Sequence, residues 1–371
     1  MTHVNLKSST VSQELYQPLH QQLPQCDATR VCPVLPDQDW LQLGLARILH
    51  ECKSGRGFLQ EYGLHFPQCP ELGHLFESLK SGRRARLLQE LNQRLQVELA
   101  RQIPDLLARV PALADFDVFA GDGHWHAAAA HDPVIEGTKY ATGHFFGLNL
   151  RTHGMVHLTV ADQAARLKEH DMRALKRLEI STLRQDAPQG QKVLWIWDKA
   201  GIDFQQWHRW KHGAGIYFLS CQKENMKLGV IAQNRWEAQA LVNQGVLADE
   251  LVSTSQGVMV RRVTYRDPIG GETFHFLTNE LTLPPGIIAQ LYRLRWDIEK
   301  VFDEFKNKLS EKKAWASGAT AKTIQAQFLC LMHNLLRLFE VRVLAPAQVQ
   351  NQAQDRRRLQ RLGAVQAQLQ E

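Results

Sequence analysis

Near residue 115 the hydrophobic period of the chain changes, and that change limits the fold more than any other feature. From Asp39 to about Ile103, "DWLQLGLARILHECKSG" and "GRRARLLQELNQRLQVELARQI" place apolar residues three and four apart, as amphipathic helices do. Beyond it, "DFDVFAGDGHW" reads as a short strand ending near Asp122, and "GHFFGLNLRTHGMVHLTV" as two strands joined through the Thr152–Gly154 turn. A helical stretch, "KEHDMRALKRLEI", precedes "KVLWIWD", a fully apolar strand ending in a carboxylate; the helix "FQQWHRWKHG" and the strand "GIYFLSC" follow. Three leading strands suit a meander, and the later alternation with helices suits parallel neighbours. The expectation is an α/β fold: a mixed sheet flanked by helices. Residues 222–286 return to β character, with a hairpin expected around Asp267–Gly271 in "VMVRRVTYRDPIGGETFHFLT".

The 371 residues suffice for two or three domains, or for one large domain with an insertion. Residues 1–35 are polar and proline-punctuated and read as a loose arm, whereas the tail "QNQAQDRRRLQRLGAVQAQLQE" is Gln-rich, basic and weakly helical. Six cysteines at irregular spacings include no CxxC pair, so neither a zinc ribbon nor a disulfide framework is indicated, and a reduced intracellular protein fits. "AQFLCLMHNLLRLF" is broken by His333, Asn334 and Arg337 and reads as a buried helix, not a membrane span. The formal charge of +6 is unevenly spread: residues 291–371 carry 14 Lys and Arg against 8 Asp and Glu, while 1–104 (11 against 10) and 105–290 (19 against 20) are balanced. A local basic excess is the footprint of a polyanion partner, and is also common on solvated helices.

That excess begins at "YRLRWDIEKVFDEFK", residues 292–306. With Tyr292 at zero and about 100° per residue, Arg295, Glu299 and Lys306 fall at roughly 300°, 340° and 320°. Leu294, Ile298, Val301, Phe302, Phe305 and Leu309 occupy the adjoining apolar stripe. The set therefore borders a buried face. Taken alone, such a helix is more commonly a salt-bridged amphipathic helix with an Arg295–Glu299 pair. Asp303, one turn on, reaches the same space as Glu299, while Asp297 and Glu304 fall on the flank expected to be solvated. Two further carboxylates, Asp122 and Asp198, close predicted strands, where open α/β sheets bind ligands. Three such acids can hold two divalent cations, and hard oxygen ligands suit Mg²⁺ or Mn²⁺. His124 and His126 in "GHWH" lack further ligands spaced for zinc and read as polar loop residues near the cleft.

The pattern Y-x2-R-x3-E-x6-K, carried by Tyr292, Arg295, Glu299 and Lys306, resembles the signature of insertion-sequence transposases of the DDE class, in the YREK-bearing family four. Asp122 in "AGDG" and Asp198 in "WIWDKAG" resemble that family's two catalytic aspartates. The resemblance implies an RNase H-like (retroviral-integrase superfamily) catalytic domain over 105–340, with a β-rich insertion at 222–286. Residues 1–104 would be the N-terminal arm and a helical DNA-binding domain, and 341–371 a basic tail. It also implies Asp122, Asp198 and Glu299 as catalytic metal ligands for two Mg²⁺ or Mn²⁺ ions, favouring Glu299 over Asp303. Tyr292, Arg295 and Lys306 would contact DNA phosphates, with Trp296 as a possible further DNA contact. The reaction implied is hydrolysis at transposon ends and transfer of the 3′-OH into target DNA, by a homodimer acting on inverted repeats, in the bacterial cytoplasm at the nucleoid, with no membrane partner. A structure-specific endonuclease and a non-catalytic DNA-binding descendant are the alternatives. Trp236, the one tryptophan of the insertion, lies in a helix-like stretch and is not assigned the base-holding role of the family's insertion tryptophan; "SGRRAR" (81–86) is the best basic cluster of the N-terminal helices, which a solvated helix start explains equally.

Overall fold

The computed structural model describes residues 8–50, 54–65, 69–162, 169–309 and 313–347. Its helices are α1 (Ser8–Gln22), α2 (Asp37–Leu49), α3 (Gly55–His65), α4 (Leu72–Ser78), α5 (Gly82–Gln102), α6 (Asp171–Lys176), α7 (Ile180–Arg184), α8 (Phe204–Ala214), α9 (Pro285–Leu294), α10 (Trp296–Asn307) and α11 (Ala319–Phe339). The strands are β1 (Phe116–His126), β2 (Thr142–Asn149), β3 (Met155–Val160), β4 (Lys192–Ile196), β5 (Ile216–Cys221), β6 (Gly229–Gln233), β7 (Val246–Ser253), β8 (Met259–Arg266) and β9 (Thr273–Thr278). Among the described residues the strands form one sheet in the order β3-β2-β1-β4-β5-β9-β8-β7-β6. Among these described strands only β1–β4 and β4–β5 pair parallel. The expected insertion is thus continuous with the sheet, joined through the antiparallel β5–β9 pair.

Strand alternation divides the core. Val118, Ala120, Leu194 and Ile196 face a cluster built with α5, α9, α10 and α11, whereas Phe119, Val193, Trp195 and Trp197 face α6, α7 and α8. On α5, Ser81 caps the first turn by accepting from the Arg84 backbone N–H. Leu87, Leu91, Leu95 and Leu99, four apart, are then fully buried against α11. Asn92 and Asn334 bond one another there, and Asn334 also accepts the Met155 N–H, which registers α5, α11 and β3 together. The segment expected as a buried helix is the C-terminal two thirds of α11, and no helix among the described residues is long and apolar enough to cross a membrane.

Several expectations are corrected. The N-terminal arm is not loose from residue 8 onwards: α1 is helical, and Leu19, Leu23, Cys26 and Leu35 sit in the core. In "SGRRAR", Arg83 binds Asp37 at 2.7 Å and Arg84 is buried over the Trp40 ring, so both pin the arm rather than project. The stretch around Trp236 forms turns and a short 3₁₀ segment (Leu241–Asn243), not a helix. The tail beyond residue 347 lies outside the described residues.

Candidate active site

β1 outruns β4. Its pairing with β4 ends at Ala120↔Ile196, yet β1 continues to His126 alongside β2. Asp122 and Asp198 each lie two residues past that last matched pair, so they are level across the parallel β1–β4 pair, Asp198 just beyond the end of β4. By the same alternation both belong to the face that carries α10. Asp122 is therefore inside its strand and not at its end, while Asp198 follows β4, accepts the Ala200 N–H at 2.7 Å and has its carbonyl bound by Ser220 Oγ at 2.6 Å.

The helix expected to run unbroken from Tyr292 is two helices meeting at Arg295. Hydrogen bonds from Arg295 N to the Tyr292 carbonyl and from Ile298 N to the Arg295 carbonyl, both 3.2 Å, tighten the joint into 3₁₀ turns. Ile298, Val301, Phe302 and Phe305 are buried as the apolar stripe requires. At the joint, Arg295 is only 5% exposed. One NH₂ of its guanidinium stands 3.3 Å from Asp122 Oδ2 and the other 3.1 Å from Glu299 Oε1. A guanidinium is one rigid planar fork, so the acids of β1 and α10 are brought to the two tips of a single group.

Asp198 lies within electrostatic range of both Asp122 and Arg295. Burial pushes the Asp122 carboxyl up to about 6; Arg295 and the Gly123 N–H oppose the shift, and the neighbouring Asp198 and Glu299 charges add to it. Tyr292 packs on Phe276 beside Arg295, and burial pushes its phenol up to about 12. Trp296 is 55% exposed with the Arg295 guanidinium over its ring at 5.0 Å. Lys306 is exposed, seven residues along α10 from Glu299 and roughly 10 Å up the axis; it is not among the groups gathered around Arg295. Asp303 is exposed, one turn beyond Glu299.

Two flanking assignments change. Asp297 is buried between His153 (3.6 Å) and Lys300 (2.6 Å), and Glu304 bonds His333 at 3.1 Å, so neither is solvated. The β2–β3 turn and α11 cover that flank of α10, which a single-helix projection does not register. His124 and His126 are not in a loop either. They are buried on β1 in a ring cluster with His144, Phe146 and Phe302, with His124 stacked on Phe302 at 4.5 Å and His126 on His144 at 4.2 Å. Their period-two spacing with Asp122 was the available signal. Trp197 had none: its ring lies where a Cβ on Gly121 would be, 2.3 Å away, directly beneath the two aspartates.

The model of the Transposase DDE domain family matches residues 129–335, from just past β1, so beyond Asp122, to the last turns of α11. The y4zB protein of Sinorhizobium fredii (strain NBRC 101917 / NGR234), which carries a transposase name, is 29% identical over 150 residues. The aligned part is 39% of this chain and spans 42% of that relative's length. Asp198, Arg295 and Glu299 all fall inside the domain match, which takes in more than half of the 371 residues, and the chain therefore belongs to the transposase DDE-domain family.

Proposed function

We propose that this chain is a metal-dependent DNA transposase that hydrolyses a phosphodiester at the ends of its element and joins the freed 3′-OH to target DNA, acting as a homodimer on paired ends. The observation that supports it most is the reach of Arg295 to Asp122 and Glu299 at once, with Asp198 level with Asp122 just past the end of the next strand.

The donor chemistry fits two divalent ions such as Mg²⁺ or Mn²⁺. Asp122, Asp198 and Glu299 supply hard oxygens from two strands and a helix, and a cation, the Arg295 guanidinium, already stands between two of them. As the side chains are placed, no three Asp, Glu, His or Cys residues close around one point among the described residues. Glu299, 38% exposed against 21% for Asp122, has the greater freedom to turn inward. When bound, such ions stabilise the attacking and leaving oxygens of an in-line displacement at phosphorus. The chain itself places one carboxylate on β1, a second just past the end of β4 and a third on a packed helix. Arg295 and Tyr292 offer donors to a phosphate, Lys306 extends the cationic rim along α10, and Trp296 presents an aromatic face on which a base can stack. We assign end recognition to the helical region within 1–104, on residues other than Arg83 and Arg84, the β-rich segment 222–286 to an insertion in the catalytic domain 105–340, and the site of action to the bacterial nucleoid.

The test is a supercoiled plasmid carrying the DNA that flanks the gene as candidate ends. Cleavage at those ends followed by joining, lost in each of Asp122→Ala, Asp198→Ala and Glu299→Ala while end binding persists, is the expected result, and Asp303→Asn should cleave like wild type. Nicking without joining would point to a structure-specific endonuclease, and binding alone to a non-catalytic descendant. Full cleavage by Glu299→Ala would move the third acid to Asp303.

A further inference from the structure

We propose that Arg295 is the resident cation of the DNA-free site and is exchanged for divalent ions when a DNA phosphate draws it away, so that metal and DNA load cooperatively. The inference rests on the reading of Asp122 and Glu299 as metal ligands and adds a regulation to that site.

Three features of Arg295 carry it. Its contacts are loose for charged partners: 3.3 Å to Asp122 and 3.1 Å to Glu299, one tip each, against about 2.7–2.9 Å for charge-assisted pairs. Elsewhere in the same chain Arg261 grips Asp249 through two parallel bonds of 2.9 and 2.7 Å. Second, the Arg295 Nε is buried with no hydrogen-bond partner among the described residues, which leaves a desolvated donor uncompensated. A phosphate oxygen pair placed on the Nε edge would satisfy that donor and an NH₂ together, the fork geometry for which arginine is suited. Third, the guanidinium is flanked by the Trp296 and Tyr292 rings, centroids 5.0 and 5.7 Å away. Trp296 leaves an exposed aromatic surface along which the planar group can slide without losing its cation–π partner.

Electrostatics then impose the exchange. A doubly charged ion on Asp122 and Glu299 would lie within a few ångströms of a guanidinium in a largely buried setting, where like charges repel strongly. Ions and Arg295 therefore compete for the same carboxylates, and a phosphate relieves the competition. Because such coupling is reciprocal, DNA raises metal affinity by the factor by which metal raises DNA affinity.

Mn²⁺ binding, followed by electron paramagnetic resonance and calorimetry on the full chain, tests this without any cleavage assay. In the wild-type chain, duplex carrying the candidate end should tighten Mn²⁺ binding by about 5- to 150-fold, the usual range of such couplings, with the same factor recovered when DNA binding is titrated with and without Mn²⁺. Arg295→Gln should bind Mn²⁺ more tightly than wild type in the absence of DNA and show little further gain on adding it. Absence of coupling in wild type, or weaker Mn²⁺ binding by a folded Arg295→Gln, overturns the exchange and leaves the metal assignment standing. Tight binding that survives Asp122→Asn in the Arg295→Gln background would place the ion elsewhere, and overturns both.

Discussion

Replacing Gly121 by alanine puts a methyl group where the indole of Trp197 now lies. The new Cβ would be 2.3 Å from two ring carbons and 2.8 Å from Nε1, far inside ordinary contact. Trp197 is fully buried, and its own Cβ is pressed against Gly201, where a methyl would come within 2.4 Å, so the ring has little room to withdraw. Overpacking of this kind costs about 1–3 kcal/mol. Alanine recovers about 0.5–1 kcal/mol of backbone entropy, and it does so equally at Gly123, whose Cβ would meet Phe145 at an unstrained 3.4 Å. The difference between the two variants therefore isolates the clash: Gly121→Ala should be less stable than Gly123→Ala by about 1–3 kcal/mol, read from urea midpoints at unchanged slope. Because Trp197 precedes Asp198, displacement of the ring also shifts that carboxylate against Asp122. Gly121→Ala should accordingly lose end cleavage in greater proportion than stability, and adding Trp197→Leu should recover part of the stability. Equal midpoints for the two alanine variants would refute the argument.

Lys322 is buried with its ammonium 3.0 Å from Asp132 and 2.8 Å from Thr142 Oγ1. Lys322→Met strands the Asp132 charge and should cost about 3–5 kcal/mol in urea unfolding; Asp132→Asn in that background, which can still accept the Ala129 N–H, should restore much of it. His126, His144 and His157 are held neutral because burial lowers their pKa, that of His157 to about 3. The unfolded rings protonate near pH 6.5, so the unfolded state binds more protons below that pH. Stability should then fall from about pH 6.5 towards 3, by up to about 1.4 kcal/mol per pH unit for each ring. Asp122, raised to about 6, opposes this as a single group gaining its proton in the folded state first. Unchanged urea midpoints between pH 7 and pH 5 would contradict the histidine argument, and His157→Phe should flatten the slope.

Local pattern alone determined the elements that bear the site. The short apolar runs of β1 and β4, the stripe through Ile298, Phe302 and Phe305, the alternating hairpin at Asp267–Gly271 and the buried helix α11 are all patterns within a single element. Periodicity reports which side of its own element a residue takes because it is set by backbone geometry within the element. What stands opposite was decided by pairing between segments far apart in sequence. The register Ala120↔Ile196 brings Asp122 level with Asp198. Arg295 reaches across to Asp122 on β1, α11 and the β2–β3 turn bury Asp297 and tie down Glu304, and the packing of α10 and β2 turns His124 and His126 from polar groups into core. The indole of Trp197 beneath Gly121 is of the same kind. Beyond the shared face that the period-two spacing of Asp122, His124 and His126 hints at, the sequence does not carry such contacts, since each depends on the distance between two residues that only the closed sheet and its packed helices bring together.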